Sequence, residues 1–247
     1  MKRSEELYVG YRKRAPEGVA RFLRPRLALL AVLLAALGAL VAAAQRPFDP
    51  GRFGLGDERT VEGVLLEHPY PMVAVGDEGR GDLELLVLFG KHGAAPAVRG
   101  LDGHRVRLRG TPIERGRRTM LQLVDGTLED LAVDRASLPE PVDVGPAVLR
   151  GEIVDTKCFL GVMKPSREAP HRECARNCVA GGIPPALWVP TGEGEDALFL
   201  LVDRHGMPVG PVVLPWIGRP VELRGAVWRV GDVLLLAVEG YRAVEAA

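Results

Sequence analysis

The chain has 247 residues, with 32 basic and 32 acidic side chains and a formal charge of zero. That balance gives no whole-chain pull toward nucleic acid or another polyanion, and aromatic residues, at 5%, are too few for a stacking surface that would bind single strands. Glycine (30 residues) and proline (20) are plentiful, as expected for many short strands joined by turns.

The first element is Leu27 to Ala44, LALLAVLLAALGALVAAA, an uncharged run just long enough to cross a bilayer as a helix. Residues 1–26 carry Lys2, Arg3, Arg12, Lys13, Arg14, Arg21, Arg24 and Arg26 against Glu5, Glu6 and Glu17. Cationic flanks stay in the cytoplasm, so the pattern predicts a basic cytoplasmic tail, a single pass through the inner membrane at 27–44, and an extracytoplasmic remainder. Ala42-Ala43-Ala44 before Gln45 also fits a signal-peptide cleavage site. The long amino-terminal region favours a retained anchor. YVGY, Tyr8 to Tyr11, reads as a poorly ordered tail.

Residues 45–58 read as a linker. Beyond them the chain repeats itself. VEGVLLEH from Val61, LELLVLFGKHG from Leu83, GHRVRLRGTPIE from Gly103 and MLQLVDG from Met120 are followed, in the same order, by LRGEIVDT from Leu149, ALFLLVDRHG from Ala197, GRPVELRGAVWR from Gly218 and VLLLAVEG from Val233. Gly63 pairs with Gly151, Arg109-Gly110 with Arg224-Gly225, and His92-Gly93 with His205-Gly206, the last pair read as closing a hairpin. Blocks such as RVRLRG and PVELRG alternate apolar and polar residues, the period of a half-buried strand. The predicted fold is mainly β: two tandem small OB-like barrels, at 59–140 and 146–245, after one transmembrane helix. A two-sheet sandwich is the alternative. Arg115, Arg117 and Arg118 read as a charged hairpin tip.

The second copy holds an insert, at about 158–185, that the first lacks. It contains every cysteine of the chain, Cys158, Cys174 and Cys178, together with His171. A helix begun near Pro170 would place His171, Cys174 and Cys178 on one face. Where the second copy has Cys158, the first has Tyr70, so the barrel itself needs no cysteine. Three chemistries fit the insert. Cys158, His171, Cys174 and Cys178 make a Cys3His set for zinc, or for copper or iron, with Asp155 as a second-shell acceptor or substitute ligand. Alternatively, a disulfide from Cys158 to Cys174 or Cys178 would staple an insert with little apolar content of its own. Third, positive charge from Lys157 or Arg172 could lower a thiol pKa, with His171 as base for Cys174. In that case the protein would be a thiol-redox or metal/cofactor-delivery protein working through Cys174 or Cys178.

VDTKC at Val154 to Cys158 and HRECARNCVAGGIPP at His171 to Pro185 resemble a signature of bacterial exported proteins, VDxKC followed by HRxCAxxCxxGGxP. The resemblance covers Leu149 to Tyr241 and implies a barrel-like fold for that span, with no activity attached. In architecture alone, one anchor followed by an OB barrel is similar to the haem chaperone of cytochrome c maturation, but the haem-attaching histidine motif of that family is not evident here. Together these readings predict a non-catalytic accessory or assembly protein of the envelope. Its expected partners are the membrane and other membrane proteins of a redox or transport complex, and not nucleic acid.

Overall fold

In a computed structural model of the full chain, the described residues are 15–45, 50–76, 82–135, 138–192 and 196–244. YVGY and the charges up to Arg14 lie outside them. The chain divides into two compact units, Met1–Pro47 and Phe48–Ala247. The first holds helix α1, Glu17–Ala44, 28 residues long and apolar enough to cross a membrane. It starts well before Leu27, so Arg21, Arg24 and Arg26 belong to its first turns rather than to a separate tail.

Among the described residues, the second unit has twelve strands. Five of them close the first barrel: β2 (Arg59–Leu66), β3 (Met72–Val75), β4 (Asp82–Val87), β5 (His104–Arg115) and β6 (Arg118–Leu123). The order around it is β2-β3-β4-β6-β5, returning to β2. Only β4 and β6 run parallel. The second barrel uses β8 (Val142–Asp155), β9 (Pro185–Val189), β10 (Ala197–Val202), β11 (Pro220–Val230) and β12 (Val233–Ala243). Its order, β8-β9-β10-β12-β11, is the same, again with the third and fifth strands parallel. These are two OB-like barrels in tandem. A short helix, α2 (Ala95–Val98), and a 3-10 turn (Gly210–Trp216) occupy equivalent places between third and fourth strands.

Two further strands lie outside the barrel circuits. β1 (Arg52–Phe53) and β7 (Glu129–Val133) both pair with β5. The expected linker at 45–58 therefore contains a two-residue strand paired to the first barrel, and β8, the first strand of the second barrel, starts at Val142. The glycines aligned in sequence sit where chains touch. A side chain on Gly63 would strike the Ala74 carbonyl on the neighbouring strand, and one on Gly151 would strike that of Trp188. The His-Gly alignment is corrected by the turns themselves. Leu88 N–H donates to the His92 carbonyl and Asp203 N–H to that of Met207, so His92 corresponds to Met207 and His205 lies two residues earlier.

Each barrel has its own core, with Leu65, Leu86, Leu108 and Leu121 in the first and Ile153, Leu187, Phe199, Leu201 and Leu236 in the second. A third cluster lies between the barrels. It takes the opposite face of the same strands: Leu83, Leu85 and Val87 of β4, Met120 of β6, Leu198, Leu200 and Val202 of β10, and Leu235 and Ala237 of β12. Strands covered on both sides read as continuous apolar runs, which is why LELLV and ALFLLV lack strict alternation. By contrast, Arg105 and Arg107 on β5 face solvent and pair with Glu62, Asp134 and Glu129. Tyr70 crosses between barrels, its hydroxyl donating to the Leu201 carbonyl at 2.5 Å.

Candidate metal centre

The insert joins the first two strands of the second barrel. It leaves β8 at Asp155, whose carboxylate Oδ1 accepts from the backbone N–H of Cys158 at 2.8 Å and so fixes the turn that follows. That turn is a short π-helical stretch, Cys158–Val162, that opens out at Gly161; such widened turns are frequent at functional sites. Helix α3 then runs Glu168–Ala180, starting two residues before Pro170, as proline tolerates a place in a first turn. It carries His171, Cys174 and Cys178 one turn apart, facing the barrel. The helix stops because Gly182, at φ +95°, reverses the chain. Gly182 N–H bonds to Val179 O and Ile183 N–H to Cys178 O, the paired closure that satisfies the last carbonyls.

The ligating atoms converge in two overlapping groups. Those of Cys158, His171 and Cys174 lie within 4.8 Å of one another, as do those of Asp155, Cys158 and Cys178, so the Cys158 sulfur belongs to both. Four of the five residues are deeply buried: Asp155 at 0%, Cys178 at 2% and Cys158 and His171 at 3% exposure, with Cys174 half-buried. The sequence-predicted set is thus divided between the two groups: His171 and Cys174 gather with Cys158 in one, and Cys178 gathers with Cys158 and Asp155 in the other. All three cysteines are free thiols, and neither a Cys158–Cys174 nor a Cys158–Cys178 disulfide is formed. The staple argument also rested on an insert poor in apolar residues, and the structure corrects that. Phe159, Leu160 and Ile183, at 1% exposure or less, anchor it in the cluster between barrels, with Cys158 and Cys178 beside them.

Asp155 braces the histidine as well as the turn. Its Oδ2 lies 3.0 Å from His171 Nε2, leaving Nδ1 as the ring nitrogen available to a proton or a metal. Within the thiol pair, the Cys158 S–H donates to the Cys178 sulfur. That bond, followed by burial, pushes the Cys158 pKa up, while the same bond pulls that of Cys178 down.

Charge around the site differs from the sequence expectation. Lys157 Nζ does not reach toward a thiol for a hydrogen bond; it donates to Leu88 O and Gly90 O, each at 2.8 Å, in the loop after β4 of the first barrel. Burial lowers its pKa. Arg172 is turned to the Gly218 carbonyl at 2.9 Å. The cation at the thiols is instead Lys91, from that same first-barrel loop. Its Nζ lies 3.1 Å from Cys174 Sγ, and this contact raises the Lys91 pKa. No sequence spacing points to a residue 83 positions away. The loop is held hard against the insert. Gly93 N–H donates to Gly181 O at 3.0 Å, and a Cβ on Gly181 would overlap the Lys91 carbonyl.

Arg115, Arg117 and Arg118 do form a hairpin tip between β5 and β6, with Arg117 exposed. Arg115, however, is turned inward: at 8% exposure it donates to the Phe159 carbonyl at 3.0 Å and lays its guanidinium 3.9 Å over the Phe159 ring. Arg118 likewise reaches the Asp196 carbonyl of the second barrel at 2.7 Å. The insert is therefore clamped by both barrels. Comparisons with protein-family models, with curated proteins and with solved structures found no match.

Proposed function

We propose that this is a single-pass protein of the inner membrane, with two duplicated OB-like barrels outside the cytoplasm and one metal ion held by the insert through Cys158, His171, Cys174 and Cys178. Two donor groups that share the Cys158 sulfur carry this reading: Cys158, His171 and Cys174 in one, Cys158, Cys178 and Asp155 in the other, with the imidazole braced by that buried carboxylate. A metal-bound histidine characteristically donates its other ring N–H to a carboxylate, and Asp155 stands in that place. A Cys3His set closes a tetrahedral zinc site, and its thiolates equally suit copper(I) or iron.

The role that fits is non-catalytic: an accessory or assembly subunit of a membrane redox or transport complex. The insert supports it by position, since it fills the loop between first and second strands, which OB folds use for ligand contact. Orientation follows from Arg21, Arg24 and Arg26 preceding the apolar run of α1.

One observation favours a second reading. Cys174 is half-buried with a lysine ammonium against its sulfur, the setting of a reactive thiol in a thiol-redox or delivery protein. Metal analysis with thiol counting, on the full chain purified in detergent, separates the two. One metal per chain with the thiols protected until denaturation supports the metal centre. Metal-free protein with a rapidly reacting thiol at neutral pH supports the second reading and overturns the first.

A further inference from the structure

Resting on the metal reading above, we propose that Lys91 of the first barrel gates the site: it covers the one donor that reaches the surface, and metal exchanges through Cys174 when the Lys91 side chain lifts.

Access comes first. Cys158, Cys178 and His171 are each at most 3% exposed, so an incoming cation cannot meet them before it has met another donor. Cys174 is the half-buried member of the set. The atom lying over it is Lys91 Nζ, 3.1 Å from Sγ and 3.4 Å from the Cys174 carbonyl oxygen.

The moving part is the side chain, not the loop. Lys157 pins the loop backbone at Leu88 O and Gly90 O, and Gly93 N–H pins it to Gly181 O. Lys91 itself is exposed, with a flexible four-carbon stem. The arginines flanking Cys174 on α3 do not share the task. Arg172 holds the Gly218 carbonyl, and Arg176 holds the Leu214 carbonyl and Glu173. Among the described residues, Lys91 is the cation that hydrogen-bonds to the Cys174 sulfur.

The chemistry is ligand exchange without electron transfer. A thiophilic cation bonds first to the Cys174 sulfur and then to Cys158, Cys178 and His171. The carrier's ligands leave one by one, each thiol releases its proton to solvent, and the metal keeps its oxidation state. An ammonium at the mouth slows this by covering the Cys174 sulfur, so that neither an incoming cation nor an accepting chelator reaches it until the side chain lifts. Release runs the same path backward, so the gate sets rates in both directions and leaves the bound state unchanged.

The test is zinc(II) uptake by the metal-free full chain in detergent micelles, and zinc transfer from the loaded chain to excess chelator, each followed in stopped flow. Lys91→Ala and Lys91→Gln should exchange roughly tenfold faster in both directions, within the range that a local charge imposes on encounter rates. Zinc stoichiometry and thermal midpoint should match wild type, and Lys91→Arg should restore slow exchange. Exchange in Lys91→Ala within about twofold of wild type overturns the gate and leaves the metal centre standing. Loss of stoichiometry or of thermal stability in Lys91→Ala makes Lys91 a structural residue and also overturns it. A wild-type chain that takes up neither zinc(II), copper(I) nor iron(II) overturns the metal centre, and the gate with it.

Discussion

His171 Nε2 and Asp155 Oδ2 are 3.0 Å apart in a site closed to solvent, and the other oxygen of the same carboxylate holds the backbone N–H of Cys158 at 2.8 Å. One side chain thus sets both the ring orientation and the turn that aims the first thiol. An amide in its place keeps an acceptor for the Cys158 N–H, but its NH2 can meet Nε2 only if the ring carries its proton on Nδ1, the nitrogen a metal would need. In Asp155→Asn, zinc affinity measured by chelator competition should therefore fall about 10- to 100-fold, while the urea stability of the metal-free chain should change by less than about 1 kcal/mol.

Thiol reactivity should follow burial. Cys158 is both buried and held protonated by its bond to Cys178, and Cys178, although its pKa is lowered, is 2% exposed. In metal-free protein a maleimide should label Cys174 first, with Cys158 and Cys178 reacting only on unfolding. Peptide mapping after a short labelling pulse reads the order directly. Early labelling of Cys158 would contradict the placement of the π-turn.

Close packing of two glycine-bearing turns joins the first barrel to the insert. A Cβ on Gly93 would overlap the Gly182 carbonyl, and neither turn is free to retreat, since Gly93 N–H is bonded to Gly181 O and Gly182 closes α3. Gly93→Ala should destabilise the two-barrel unit by about 1–3 kcal/mol, as overpacking does. It should also speed Cys174 labelling, because the loop carrying Lys91 is lifted.

Burial raises the Glu152 carboxyl above its ordinary 4.5, with the N–H of Glu168 and the nearby Arg167 opposing the shift. The folded chain therefore binds this proton more tightly than the unfolded chain does. The associated stability is complete below pH 4.5 and is lost as pH rises through the raised folded value. Glu152→Gln keeps an acceptor for the Glu168 N–H and removes the charge. Urea midpoints measured from pH 4 to pH 7 should therefore fall less steeply with rising pH in the variant than in wild type, with the two curves diverging as pH increases.

Much of this was legible along the chain. The alternation in RVRLRG and PVELRG placed Val106 and Leu108, and Val221 and Leu223, inside barrels, because a strand with one wet face must alternate. The helical spacing of His171, Cys174 and Cys178 placed them on one face of α3, since local geometry alone sets the direction of residues three and four apart. Asp155 stood out in the sequence as a neighbour of the insert's first thiol, and the structure bonds it to the Cys158 N–H and to His171. The His-Gly alignment failed for an equally local reason: turns tolerate shifts in length, and their register is fixed by the strands they join.

What the sequence determined by itself, then, is an apolar amino-terminal segment, two copies of one set of β-strands, and a cysteine insert in the second; closure of each copy into a barrel was settled by the strand pairing. All of these rest on periodicity and spacing over short stretches. Only the tertiary structure decided that the outer faces of β4, β6, β10 and β12 bury one another, that Arg115 lies under the insert, and that Lys91 stands against Cys174. Those contacts depend on how the two barrels dock. Docking is driven by apolar area, which sequence shows as composition but not as partner. The cysteines are consequently not an ornament of one barrel: they sit at the junction where both barrels grip the insert.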